Sequence, residues 1–159
     1  MAIKPKESVI PFNVTGSGTG VAQSVVVPGS EHTFETDAYP AFGGQDEHPS
    51  PLFYALGALT SCNQVTAALV AKDLGITLGR FEVSAQGNLD TAVLVGGAEG
   101  NANFDRVTID IRVESDATSE QFGQLIRETE RRCPVTQLYK RSGLTYESSW
   151  EQAALPVAA

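Results

Sequence analysis

The sequence predicts an α+β fold, and three observations carry that prediction. Strand-like segments group in blocks apart from helix-like ones, one long helix-like segment fills the middle of the chain, and two later segments alternate between apolar and polar residues. The 159 residues read as one domain, 1–159, with a core from about residue 9 to 150 and a loose tail, QAALPVAA. The expected architecture is antiparallel sheets packed around long central helices.

Taken in order, residues 9–39 are rich in Val, Thr, Ser and Gly and are broken at 16–20 and at 28–29, which predicts three short strands in a meander. AFGGQDEHPSP, residues 41–51, is a loop by composition. Ser50 as N-cap and Pro51 at the first helical position then open a helix. Leu52, Ala55, Leu56, Leu59, Cys62, Thr66, Leu69 and Val70 recur at spacings of three and four and so share one stripe, and Gly75 supplies the stop. At 3.6 residues per turn this helix is roughly six or seven turns long.

Two strands follow. Phe81, Val83 and Ala85 alternate with polar neighbours, and Val107, Ile109, Ile111 and Val113 do so more cleanly. VGGAEGNAN between them is a flexible connection. Thr118, with Gln121 as its capping-box partner, starts a further helix that runs to Arg132. Cys133-Pro134 interrupts it, PVTQLYKRSG forms a short helix, and residues 146–150 form a last strand.

The formal charge of −8, from 11 Lys+Arg against 19 Asp+Glu, excludes a nucleic-acid binder, because little here could release counterions from phosphates. It also disfavours an anionic membrane surface. No stretch approaches the ~18 apolar residues of a membrane span, and the first residues have no apolar signal region. A cytoplasmic location is therefore expected, with no nucleic-acid or membrane partner. The long helix carries apolar residues on several faces (Ala55, Leu56, Ala58, Leu59, Val65, Ala67, Ala68, Leu69, Val70 and Ala71), more than one small sheet covers. A homodimer with the central helices of two subunits packed together is expected.

The chain has two cysteines, 71 residues apart. In a reducing compartment they are inert buried thiols, a metal half-site or a redox pair. Cys62 lies on the core stripe, where a thiol packs as a small hydrophobe. Cys133, followed by proline, reads as the N-cap of the short helix, where amide dipoles favour a thiolate, and Arg131 and Arg132 beside it act in the same direction. No C-x-x-C spacing supports zinc, His32 and His48 read as surface residues, and GSGTG at 16–20 reads as a hairpin turn rather than a phosphate loop. No metal and no cofactor are expected.

PSPLFYALGALTSCNQVTAALVAKDLGI resembles the central helix of the OsmC/Ohr family, the osmotically inducible and organic-hydroperoxide-resistance proteins. Cys62 follows Pro51 by eleven residues, as in the family pattern, and ERRCPVTQL is similar to the family's second motif, a helix ending in Cys-Pro. The resemblance covers the chain from about residue 9 to 150. It implies an OsmC-like fold, an intertwined homodimer and a thiol peroxidase cycle on organic hydroperoxides. Cys62 would become a sulfenic acid, Cys133 would condense with it to a disulfide, and an external dithiol would reduce that bond. The resemblance also implies a supporting arginine from the first strands and a glutamate near the start of the cysteine helix. This chain departs on both counts: Leu52 and Phe53 follow Pro51, and no arginine precedes Arg80. Lys4, Lys6, Asp46 and Glu47 are the conceivable substitutes. The rival readings are an OsmC-fold protein that binds a small molecule without catalysis, and a redox-sensing protein. Which thiol attacks first is open at this point.

Overall fold

The structure, a computed structural model, describes residues 8–156. It divides into two compact units, Met1–Pro51 and Leu52–Ala159. In the first, β1 (Thr15–Thr19), β2 (Ala22–Val26) and β3 (Thr33–Thr36) form an antiparallel meander in that order. The β1–β2 turn uses Gly20 at φ 64°, a left-handed conformation that glycine adopts without a Cβ penalty. After a 3-10 turn at Pro40–Phe42, the following loop is tied down by Asp37. Its buried carboxylate accepts from the amides of Gln45 at 2.9 Å and Glu47 at 3.1 Å. Amide donors of this loop, those of Ala38 and Glu47 foremost, hold that carboxyl below its ordinary value.

The second unit holds α1 (Pro51–Leu74), β4 (Leu78–Leu89), α2 (Thr91–Gly96), β5 (Phe104–Ser115), α3 (Ser119–Arg132), α4 (Pro134–Arg141) and β6 (Thr145–Ala153). The mixed α+β architecture and the three-strand meander are as the sequence predicts, but Gly16, Ser17, Gly18 and Thr19, expected in a break and hairpin turn, lie in β1, and the turn begins at Gly20. Thr118 forms the full capping box with Gln121. Gly75, at φ 67°, ends α1, and the Ile76 amide bonds back to the Ala71 carbonyl at 2.9 Å. β5 presents Val107, Ile109, Ile111, Val113 and Ser115 to the interior and its alternate residues outward, so the two-residue period reads directly as burial. Ala67, Val70, Ala71, Val113, Phe122 and Leu125 form one apolar cluster, and Leu59, Val107, Ile109 and Ile111 form a second. Leu125→Ala removes a fully buried side chain from the first cluster. Its expected cost is about 2–5 kcal/mol, read as a lower urea midpoint at unchanged slope.

Four further expectations need correction. The sheet order is β4-β5-β6, with β4–β5 antiparallel but β5–β6 parallel. The α3–α4 crossover carries the chain back to the end of the sheet where β5 began, so β6 runs the same way, and the sheets are not all antiparallel. A helix absent from the sequence expectation leads into the VGGAEGNAN connection: α2, capped by Asp90, whose side chain accepts from the Ala92 amide at 2.9 Å. In the tail, Gln152 and Ala153 belong to β6, and the Gln152 amide donates to the Ala117 carbonyl at 2.8 Å and to Ser115 Oγ at 2.9 Å. Residues 157–159 of that tail lie outside the described residues, as do Lys4 and Lys6.

The fourth correction concerns α1. Its buried residues are Leu59, Asn63, Thr66, Ala67, Val70 and Ala71, while Leu52 and Leu69 are 40% and 53% exposed. The inward stripe is rotated from the expected one, because a helix apolar on several faces has no single face that periodicity can select. Among the described residues no helix is long and apolar enough to cross a membrane.

Candidate functional site

Cys62 stands in the middle of α1, half-buried, with buried Asn63 and Thr66 beside it. Cys133 is fully buried at the junction where α3 ends and α4 begins. Pro134 fits that junction because its fixed φ suits the first helical position and its missing N–H is not needed there. The first turn of a helix has amides with no partner inside the helix, and here two of them meet sulfur. The Thr136 amide donates to Cys133 Sγ at 3.4 Å, so the thiol itself caps α4. The Val135 amide faces Cys62 and favours its charged form. The two thiols face each other closely enough to affect each other's ionisation, and the Thr66 hydroxyl faces both.

These contacts divide the pair electrostatically. Burial pushes the Cys62 thiol up, and the bond and charge of Cys133 push it further against the Val135 amide and Thr66. Burial also opposes ionisation of Cys133, but the Thr136 side chain and amide, the Cys62 thiol and Thr66 outweigh it and draw that thiol below its ordinary value. Of the two thiols, Cys133 is therefore the one that ionises more readily. The structure brings together the two residues that the sequence singles out.

The flanking arginines do not contribute as expected. Arg131 pairs with Glu128 at 2.6 Å, and Arg132 reaches Asp73 on α1 at 2.6 Å. Glu130 instead holds Lys140 at 2.7 Å and accepts from the Ser148 hydroxyl. His32, Asp46, Glu47 and His48 are exposed residues of the first unit. Among the described residues no group of three or more His, Cys, Asp and Glu side chains is gathered as metal ligands.

Sequence reasoning missed the polar residues around the sulfurs. Asn63 Nδ2 donates to the Leu59 carbonyl at 2.9 Å and to Thr136 Oγ1 at 3.0 Å. Tyr146 on β6 buries its hydroxyl beside Thr136 without a well-formed hydrogen bond, and burial pushes the phenol up to about 12. The Lys140 ammonium lies 5.4 Å from the centre of its ring. An asparagine inside an apolar helix is a signal that was available, since it is poorly suited to a helix interior unless its amide has a buried partner.

The OsmC-like protein family model matches residues 44–148, and the chain belongs to that family. The described fold is OsmC-like. It superposes on an OsmC-like protein from Mycoplasma pneumoniae with a TM-score of 0.77 at 16% identity, covering 91% of this chain and 98% of that one. An organic hydroperoxide resistance protein from Elizabethkingia anophelis gives a TM-score of 0.71 at 19% identity, with 93% and 100% covered. The organic hydroperoxide resistance protein OsmC from Legionella pneumophila gives 0.67 at 12% identity, with 91% and 99% covered. No curated protein matches the sequence significantly.

Proposed function

We propose that this chain reduces organic hydroperoxides through a cycle of Cys62 and Cys133. The observation that carries the reading is that the two free thiols face each other near the start of α4, Cys133 being the more readily ionised. Cys62 is the more exposed sulfur and meets the peroxide. Its proton passes to Cys133, and the Cys62 sulfur attacks the terminal peroxide oxygen: the S–O bond forms and the O–O bond breaks. The departing alkoxide takes the proton from Cys133 and leaves as the alcohol. Cys133, again a thiolate, attacks the Cys62 sulfenic sulfur and expels hydroxide, which leaves as water once protonated, and the disulfide remains. An external dithiol restores both thiols through a mixed disulfide. Leu56, Leu59 and Val135, packed in one apolar cluster beside the sulfurs, suit an alkyl or aryl substituent on the peroxide. A reducing compartment such as the cytoplasm fits a pair that must start as thiols.

The working form is a homodimer. On α1, Gly57, Ala58, Ser61, Val65, Ala68 and Leu69 form an exposed row of small and apolar residues, with Val65 61% and Leu69 53% exposed. A second copy of the same helix covers such a row at close approach.

The test is turnover. With dithiothreitol or a dihydrolipoyl compound as reductant, cumene hydroperoxide should be consumed catalytically and faster than hydrogen peroxide. Reduced protein that shows no consumption above the reductant's own background contradicts the reading. Leu52 and Phe53, exposed at the start of α1 where an acid is the family pattern, favour a second reading in which the fold binds an apolar molecule without catalysis. Thermal stabilisation by a lipid-like compound that persists in Cys62→Ser supports that alternative.

A further inference from the structure

We propose that Asn63 and Thr136 are positioning residues for Cys133: Asn63 fixes the Thr136 side chain, so that the donors of Thr136 favour the thiolate form of that sulfur. The inference rests on the two-thiol cycle and deepens it. Asn63 is 1% exposed and Thr136 is fully buried, so neither is a solvated polar side chain. The orientation of the Asn63 amide follows from chemistry. The Leu59 carbonyl can only accept, so the amide nitrogen faces it, and the second amide hydrogen goes to Thr136 Oγ1 at 3.0 Å.

That bond decides what Thr136 can do. Its oxygen accepts from Asn63, and its own proton is left to donate. Two acceptors lie beside it, Cys133 Sγ and the Tyr146 hydroxyl oxygen. A thiolate is the stronger acceptor, because hydrogen bonds to an ionised partner are roughly twice as strong as neutral ones. The Thr136 amide lies 3.4 Å from Cys133 Sγ, and its hydroxyl, beside the same sulfur, favours the charged form as well. Asn63, 73 residues away in sequence, keeps the hydroxyl from turning round.

Among the described residues, two titratable side chains face Cys133, and the charged residues that flank it in sequence are paired with other groups. Cys62 faces it from α1 as the thiol that burial keeps from ionising, and Tyr146 faces it from β6 as a neutral phenol. Glu130 of α3 is held by Lys140 of α4 and Ser148 of β6, while Arg131 and Arg132 are paired with Glu128 and Asp73. The arginines flanking Cys133 are thus held by carboxylates, and the depressed Cys133 thiol agrees with the Thr136 donors favouring its charged form. In the cycle, this pair keeps Cys133 ready to close the disulfide.

The test needs no peroxide, so its failure is distinct from failure of the peroxidase reading. In Cys62→Ser protein Cys133 is the single thiol, and its ionisation is followed by the ultraviolet absorbance of the thiolate. Thr136→Val keeps the shape of the residue and its amide but removes the hydroxyl. It should raise the titration midpoint by about one unit, a roughly tenfold fall in thiolate at neutral pH. Thr136→Ser should restore the original midpoint. Asn63→Leu leaves every α4 group in place and should raise the midpoint by a smaller amount, which keeps the question answerable should Thr136→Val fail to fold. A midpoint unmoved in a folded Thr136→Val or Asn63→Leu variant overturns the proposal, even if the melting temperature falls, because that pattern belongs to a purely structural role.

Discussion

Cys62→Ser is expected to lower hydroperoxide consumption on the order of 10³-fold or more, because a hydroxyl at this site has neither the nucleophilicity nor the acidity of a thiol. Cys133→Ser should behave differently. Attack at Cys62 can still occur once, but no thiolate is present to displace the sulfenic hydroxyl. Single-turnover peroxide loss should persist while steady-state turnover with a dithiol falls, and a sulfenic-acid probe such as dimedone should label Cys62. The contrast separates the roles: the half-exposed sulfur of α1 receives oxygen, and the buried sulfur capping α4 resolves it. Equal loss of the first turnover in both variants would instead place the attack on Cys133. The pair also has a pH signature. The Cys133 thiol lies below its ordinary value, so its thiolate is present above that depressed value and is lost as the pH falls through it. Because Cys133 takes the Cys62 proton before attack and then closes the disulfide, peroxide consumption should slow over that acidic limb.

The second large effect is on assembly. Leu69→Asp places a carboxylate on the exposed apolar row of α1. If a second copy covers that row, the charge is buried without a partner, at a cost of several kcal/mol. Each 1.4 kcal/mol is a tenfold change in the dissociation constant, so dimerisation should weaken by about two orders of magnitude or more. Light scattering at micromolar concentration should give the dimer mass for the unsubstituted protein and the monomer mass for Leu69→Asp. A monomer mass for the unsubstituted protein removes the dimer from the account.

Where one face of an element is buried and the other solvated, the sequence spells out the structure. β5 is legible from Val107 to Val113 because its inward residues are branched aliphatics and its outward ones are polar or charged. The start of α3 is legible because Thr118 and Gln121 satisfy each other's backbone amides locally. The Cys133 cap is legible for the same reason, since it depends only on the proline and on the three residues that follow. Legibility fails where the deciding partner is distant. The direction of β6 depends on the crossover through α3 and α4, which no local pattern records. The inward face of α1 depends on what covers each side, so Leu69 was read as core and Asn63 went unnoticed. The Asn63–Thr136 bond joins two elements that only folding brings together. Arg131 and Arg132 were misjudged because sequence adjacency to Cys133 says nothing of the carboxylates that reach them.

The most direct test of the account is a stoichiometric oxidation. Reduced protein is treated with one equivalent of cumene hydroperoxide, its remaining free thiols are alkylated, and it is digested without reductant for mass spectrometry. The account predicts that one equivalent yields one cumyl alcohol, no alkylatable thiol, and a single cross-linked peptide joining Cys62 to Cys133 within one chain. Two alkylated cysteines after that treatment, or a bridge only between chains, would contradict it.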